Sequence, residues 1–371
     1  MFSFISKGLK QIDWILFASA TLIVGAGLIT MNSFAGNNYF FEKQSVIYLL
    51  AVIAFMVASF IDWRFLRRTG VVVGLFIGIV AILATLFAVG SVFKGAQSWF
   101  NLGLFAFQPS DPAKLVLIIV LAKYFSRRHV EIAHIRHILV SAFYAFVIFA
   151  LVFLQPDFGS AVILAMVWLG MVMVSGISKK HLLGVFLLVL ISFGGLWTYV
   201  FKDYQKERIL NFVHPLADVQ GTGYNAYQST IAVGSGQVVG KGIGFGTQSK
   251  LQFLPEYETD FIFAAYAEEW GFIGVVILFT LFGLLFWRII ANSSYGATNF
   301  EVLFGLGVAV LFLSHIIIHV GMNIGLLPVT GTTIPLMSYG GSHLLTEFLA
   351  LGMVVGMRRY AHSVKHTPEL E

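Results

Sequence analysis

Charge interrupts this sequence so rarely that its uncharged runs decide what it can fold into. Trp14 to Phe41, Gln44 to Ile61, Thr69 to Phe93, Ile138 to Pro156, Phe158 to Ser178, His181 to Phe201, Trp270 to Trp287 and Val302 to Thr346 contain no Asp, Glu, Lys or Arg. Each reaches the roughly 18 residues that a helix needs to cross hydrocarbon, and a helix pairs its own backbone groups, as lipid requires. The last run holds one span, a loop and the start of another. Leu115 to Ala122 is shorter, but it becomes a span when extended back to Pro112 and forward to Phe125. Ten helices follow, so the expectation is an all-α, polytopic integral membrane protein forming one domain over residues 1–371. The 11% charged residues, against about a quarter in soluble domains, exclude the two soluble domains that length alone would suggest. The first run exceeds the apolar core of a cleavable signal peptide and lacks a clear small-residue cleavage site, so it is expected to remain as a span.

Basic residues fall on alternate loops. Lys7 and Lys10, Arg64 to Arg68, Lys123 to Arg136, Lys179 and Lys180, Arg288, and Arg358 to Lys365 supply fifteen of the 23 lysines and arginines. By the excess of basic residues on cytoplasmic loops, these connections and both termini belong in the cytoplasm of a plasma-membrane protein. The formal charge of +5 is thereby a topological signal, and no nucleic-acid partner is expected. The other face receives the longest connection, about 202–259, and the turns rich in glycine and proline. Function is expected there, where no nucleotide is supplied, so a leaving group would have to arrive already installed on a lipid-linked substrate.

Several segments on that face carry chemistry. "VGSGQVVGKGIGFGTQ" (233–248) is no phosphate-binding P-loop, because Gly242 follows Gly240-Lys241 where Ser or Thr is required; its amides could still cradle a diphosphate, with Lys241 and Lys250 as point charges. "QPSDPAKL" and "QPDFGSA" place Asp111 and Asp157 at helix starts, where an acid complements the dipole, and Lys114 stands one turn beyond Asp111. Capping and a shared Asp111, Lys114 and Asp157 cluster both fit. In "LPEYETDFIFAAYAEEWG", Gly271 to Ile290 can span alone, so Asp260 to Trp270 can form a helical approach with Asp260, Ala264 and Glu268 on one stripe. A carboxylate there, between a helix N-terminus and the neighbouring Glu256 and Glu258, is either a cap or a general base. His315 and His319 have ligand-like spacing without a third ligand, which favours packing or a polar lining over a metal. "GLLPVTGTTIPLMSYGGS" is apolar yet broken by Pro and Gly, so it must line a cavity or be buried in protein.

The ordered set "KGAQSWFNLG", "FQPSDPAKL", "QPDFGSA", the stretch from Tyr204 to Ser249, "LPEYETDFIFAAYAEEWG" and "GLLPVTGTTIPLMSYGGS" resembles the SEDS (shape, elongation, division and sporulation) glycosyltransferases over nearly the whole chain. Its length and its "KGAQ" segment resemble the RodA elongation branch. The resemblance implies polymerisation of lipid II into peptidoglycan strands, beside a class B penicillin-binding protein and other membrane proteins of the elongation complex. It also maps the family's essential acid onto Asp260. In that reading Asp260 is the general base of an inverting transfer, and Lys114, Arg208 and Lys241, in that order, meet the departing diphosphate. Glu256, Asp157 and Asp111 complete the substrate-binding set; no cofactor is required, though a divalent cation can be accommodated. Three positions depart from the family pattern: Gln97 and Ser98 precede Trp99 where an arginine is common, Asp111 replaces Glu, and His319 stands where Asn is common. The competing expectations are a lipid-precursor flippase or other transporter, with acids spread through the midplane, and a scaffold in which Asp260 is replaceable.

Overall fold

The computed structural model describes residues 11–34, 39–93, 96–101, 106–127, 135–176, 179–199, 201, 203–214, 223–251 and 253–365. Lys7, Lys10, Lys94, Arg128, Lys202 and the loop stretch 215–222 lie outside the described residues. A helix occupies each of the ten segments marked by the uncharged runs. They are α1 (Trp14–Asn32), α2 (Tyr39–Phe60), α3 (Thr69–Val89), α4 (Ser110–Ser126), α5 (Ile135–Leu154), α6 (Phe158–Val174), α7 (Lys179–Tyr199), α11 (Ile262–Ser294), α12 (Asn299–Asn323) and α13 (Gly341–Lys365). Seven of them, α1, α2, α3, α5, α7, α11 and α12, are long and apolar enough to cross a membrane, and α6 is a shorter apolar helix. The charges Asp111, Lys114 and Lys123 dilute α4, and Glu347, Arg358 and Arg359 dilute α13.

Two features depart from a purely helical expectation. Ser91–Phe93, Ala96–Asn101 and Ala106–Phe107 form a small antiparallel sheet in the order β1-β2-β3. The aromatic and β-branched residues of this segment suit strands. The long connection is also partly built, with α8 (Asp203–Val213), α9 (Tyr224–Ser235) and α10 (Thr247–Lys250).

Helix α12 sits at the centre, packed on α4, α6 and α11, while α13 lies against α2 and α1 against α11. Its apolar window is 72% buried, whereas that of the peripheral α7 is 6% buried. A surrounded helix can carry polar groups that find protein partners instead of lipid, and α12 carries His315, His319 and Asn323. Close packing uses small residues: Gly27 of α1 faces the backbone of Met337, where a Cβ would overlap the carbonyl.

Helix α11 is two helices in series. Gly271 breaks it with φ 65° and ψ −167°, a conformation open only to glycine. The outer piece, from Ile262 to Trp270, is the approach expected from the sequence, but it begins after Asp260, which lies in a turn. Asp260 therefore does not share a helical stripe with Glu268. The inner piece runs on to Arg288 and Ser294 and ends at the opposite face.

Candidate active site

Several chain segments meet above the core: β2, the starts of α4, α6 and α13, helix α8, the turn before α11, and α12 with the irregular stretch after it. They enclose a cavity of about 390 Å³ lined among others by Asp111, Lys114, Asp157, Arg208, Glu256 and Asp260. All six fall among the seven residues singled out from the sequence. Lys241 is elsewhere.

Local folding explains each placement. Asp157 caps α6 by accepting a hydrogen bond from the Ser160 amide at 3.1 Å, and its second oxygen accepts from Gln108 Nε2 at 2.9 Å and Ser110 Oγ at 3.2 Å. It thus joins the α4 and α6 starts without bonding Lys114. The Lys114 ammonium donates to Asp111 at 3.0 Å, and both side chains are 4% exposed. Lys114 Nζ also lies 3.4 Å from His315 Nε2. The other ring nitrogen, Nδ1, meets the Thr333 carbonyl at 3.0 Å; a carbonyl only accepts, so Nδ1 carries the proton and Nε2 is free to accept from the ammonium. His319 makes the same kind of bond, at 2.7 Å, to the Thr332 carbonyl. These two histidines pin the irregular stretch 330–333 across the cavity. Among the described residues, no three His, Asp or Glu side chains are placed to hold a metal ion.

Asp260 is held through its backbone. Asn323, fully buried at the end of α12, donates to the Asp260 carbonyl at 3.0 Å and to the His319 carbonyl at 2.7 Å, and accepts from the Ala264 amide at 3.2 Å. One amide side chain therefore supplies a partner to the first turn of α11 and fixes the residue before it. Ser338 Oγ donates to the Thr259 carbonyl at 2.8 Å, and the Tyr339 amide to Glu258 O at 2.9 Å. The acid-rich turn is thus tied to the turn that precedes α13. A Cβ on Gly331 would stand 3.5 Å from Asp260 Oδ2, and Gly331 has φ 73°, so the chain passes close to this carboxylate without a side chain.

His343 was not visible as a site residue. Its Nδ1 lies 3.3 Å from Asp111 Oδ1 and its Nε2 3.0 Å from Glu347 Oε1, and its ring lies 4.8 Å from that of His315. The spacing His343 to Glu347, one helical turn, was the available signal. Glu347 in turn accepts from the Leu336 amide at 2.8 Å. Trp99, Thr332 and Tyr339, also not singled out, line the cavity.

The glycine-rich stretch binds an anion, and that anion is its own. Glu268, fully buried, accepts from Lys241 Nζ at 2.7 Å and from the amides of Thr247 at 2.9 Å and Gln248 at 3.1 Å, while Glu269 accepts from the Gly244 amide at 3.0 Å. Gly240 and Gly271 cross so closely that a Cβ on either would overlap the backbone of the other's segment. Lys241 and the amide nest are therefore engaged with α11, away from the cavity.

These features define a class: a polytopic membrane protein with an ionic cavity at one end of its bundle, beside a carboxylate held on a braced turn. The chain belongs to the FtsW/RodA/SpoVE cell cycle protein family, whose description matches residues 9–363. It is 37% identical over 287 residues to the peptidoglycan glycosyltransferase MrdB of Escherichia coli (strain K12), covering 77% of each chain. To stage V sporulation protein E of Bacillus subtilis it is 34% identical over 366 residues, covering 94% of this chain and 97% of that one. Its fold is similar to the rod shape determining protein RodA of Thermus thermophilus, with TM-score 0.70, 30% identity and coverage of 94% and 96%. It is also similar to a chain of a peptidoglycan synthase complex solved for its coordination of polymerization and crosslinking, with TM-score 0.81, 32% identity and coverage of 94% and 98%.

Proposed function

We propose that this chain is a peptidoglycan glycosyltransferase of the RodA branch, joining lipid II units into glycan strands on the outer face of a bacterial plasma membrane. The observation that carries the reading is the meeting of Asp260 with Lys114 and Arg208 around one cavity at one end of the bundle. A glycosyl transfer from a lipid diphosphate needs both: a base for the incoming hydroxyl and positive charge for the outgoing phosphate. In this reading Asp260 takes the proton of the acceptor GlcNAc 4-hydroxyl. The oxygen attacks the anomeric carbon of the donor MurNAc, whose bond to undecaprenyl diphosphate breaks with inversion. Lys114 and Arg208 face the departing diphosphate, and Asp111 and His343 orient Lys114. A cavity of about 390 Å³ suits the reacting sugar and its phosphates, leaving the lipid tails to the bilayer.

No cofactor is required, and a divalent cation would enter with the substrate diphosphate. The partner in this reading is a class B penicillin-binding protein, alongside other elongation-complex membrane proteins; similarity to a synthase that coordinates polymerization with crosslinking supports it. Both termini are cytoplasmic, because the basic helix ends gather opposite the cavity. The test is lipid II polymerisation by purified protein. Asp260→Asn keeps the shape and removes the basic oxygen, so polymerisation should drop by about 10² to 10⁴ with expression unchanged. A variant working at near wild-type rate would return Asp260 to a structural role.

A further inference from the structure

At the membrane face opposite Asp260 lies a second cavity, of about 350 Å³, lined by Asp13, Trp14, Ile15, Arg288, Arg358 and Arg359 among others. Three guanidinium groups face one carboxylate there. Asp13 holds two of them: Arg288 donates through Nε at 2.9 Å and Nη2 at 2.6 Å, and Arg358 Nη1 lies 3.4 Å away while donating to Asn292 at 2.6 Å. The Asp13 clamp leaves Arg288 Nη1 outside it. Arg359 is outside the clamp altogether, stacked over Phe60 at 4.8 Å. The cavity therefore keeps a net charge of +2 on side chains whose positions are already fixed.

Its surroundings name the kind of ligand. Trp14 and Ile15 on its rim are 48% and 46% exposed, and Trp287, under the Arg288 guanidinium, is 58% exposed. Exposed tryptophans at helix ends mark the level of lipid headgroups, and basic pockets between helices at that level suit lipid phosphates. A soluble anion would need no apolar rim.

We propose that this cavity binds the phosphate headgroup of an anionic phospholipid in the leaflet opposite the glycosyl-transfer site. The guanidinium fork of Arg359 and the spare edge of Arg288 receive the phosphate oxygens, and the acyl chains leave along Trp14 and Ile15. The lipid joins the ends of α1, α11 and α13 without taking part in the reaction.

The experiment titrates the delipidated full chain by native mass spectrometry with dioleoylphosphatidylglycerol, dioleoylphosphatidylcholine or inorganic phosphate. The phosphatidylglycerol should bind about tenfold or more tightly than the phosphatidylcholine, because the two offer the same phosphate but the choline cation is repelled by the guanidinium groups. Arg359→Ala should remove most of that preference and Arg359→Lys should restore part of it. Ile15→Glu, which puts a negative charge on the exposed rim, should weaken phosphatidylglycerol more than phosphatidylcholine. Equal binding of the two lipids, an undiminished preference in Arg359→Ala, or binding of inorganic phosphate without the lipid would overturn the proposal.

Discussion

Asp260 and Asn323 divide one task between side chain and backbone. The carboxylate faces the cavity, while its main-chain oxygen is fixed by a buried amide that also serves His319 and Ala264. Asn323→Ala removes these bonds and leaves the chemistry's own groups untouched. We predict a fall in kcat of about 10²-fold, the scale of a 1 Å misplacement, with KM nearly unchanged; steady-state polymerisation kinetics would check the split, and a parallel rise in KM would count against it. At this scale the sequence was partly legible. Lys114 and Asp111 were paired by spacing alone, because one helical turn brings such groups together. His343 was hidden because Asp111 is 232 residues away from it, and no local pattern reports a contact closed by the fold. Lys241 reads as a phosphate ligand in sequence, yet the acid that holds it, Glu268, lies 27 residues on.

The glycine-rich stretch and the outer piece of α11 act as one element. Buried Glu268 closes the loop onto the helix through Lys241 and two backbone amides. Glu268→Gln leaves Lys241 without its counter-ion and replaces an acceptor with a donor facing amides. Breaking one side of a buried pair costs about 3–5 kcal/mol, so we predict a lower unfolding temperature and faster proteolysis between Gly240 and Lys250; an unchanged cleavage rate in limited proteolysis would exclude this role. Gly240→Ala should do the same by another route, since Gly240 has φ 81° and its Cβ would meet the Glu269 carbonyl. Helix existence was readable here from hydrophobic length. The small sheet at 91–107 was not, because its strands of two to six residues are too short to show a clear period-two alternation.

Across the whole molecule, charge is confined to two ends of an apolar bundle, and the clamp on Asp13 gathers α1, α11 and α13 at one of them. Burial pushes the Asp13 carboxyl up, but hydrogen bonds from Arg288, Asn292 and the Leu16 amide, with the Arg288 charge, more than offset it and hold the group below its ordinary 3.8. A depressed carboxyl stabilises above its unfolded value and stops doing so as pH falls through its folded one. Wild type should therefore melt above Asp13→Asn at neutral pH, and the gap should close only below about 3.8; a gap independent of acid would show that packing alone matters. Orientation makes a second prediction. In intact cells an impermeant thiol reagent should label Lys250→Cys and not Arg127→Cys, and labelling of both would refute the ten-span topology. The number of apolar segments was legible in the sequence because lipid tolerates so few charges, whereas the order of helices around α12 depends on side-chain fit that no single run records. The break at Gly271 has a mechanical meaning for such a bundle. Just below it the Phe272 and Ile273 amides still donate to the Gln237 and Val238 carbonyls; beyond that splint the inner piece of α11 meets thin or thick hydrocarbon by tilting, while the outer piece stays bolted to the glycine-rich stretch. The height of Asp260 above the lipid is thereby insulated from bilayer thickness, and the enzyme should hold its rate across vesicles of different acyl-chain length.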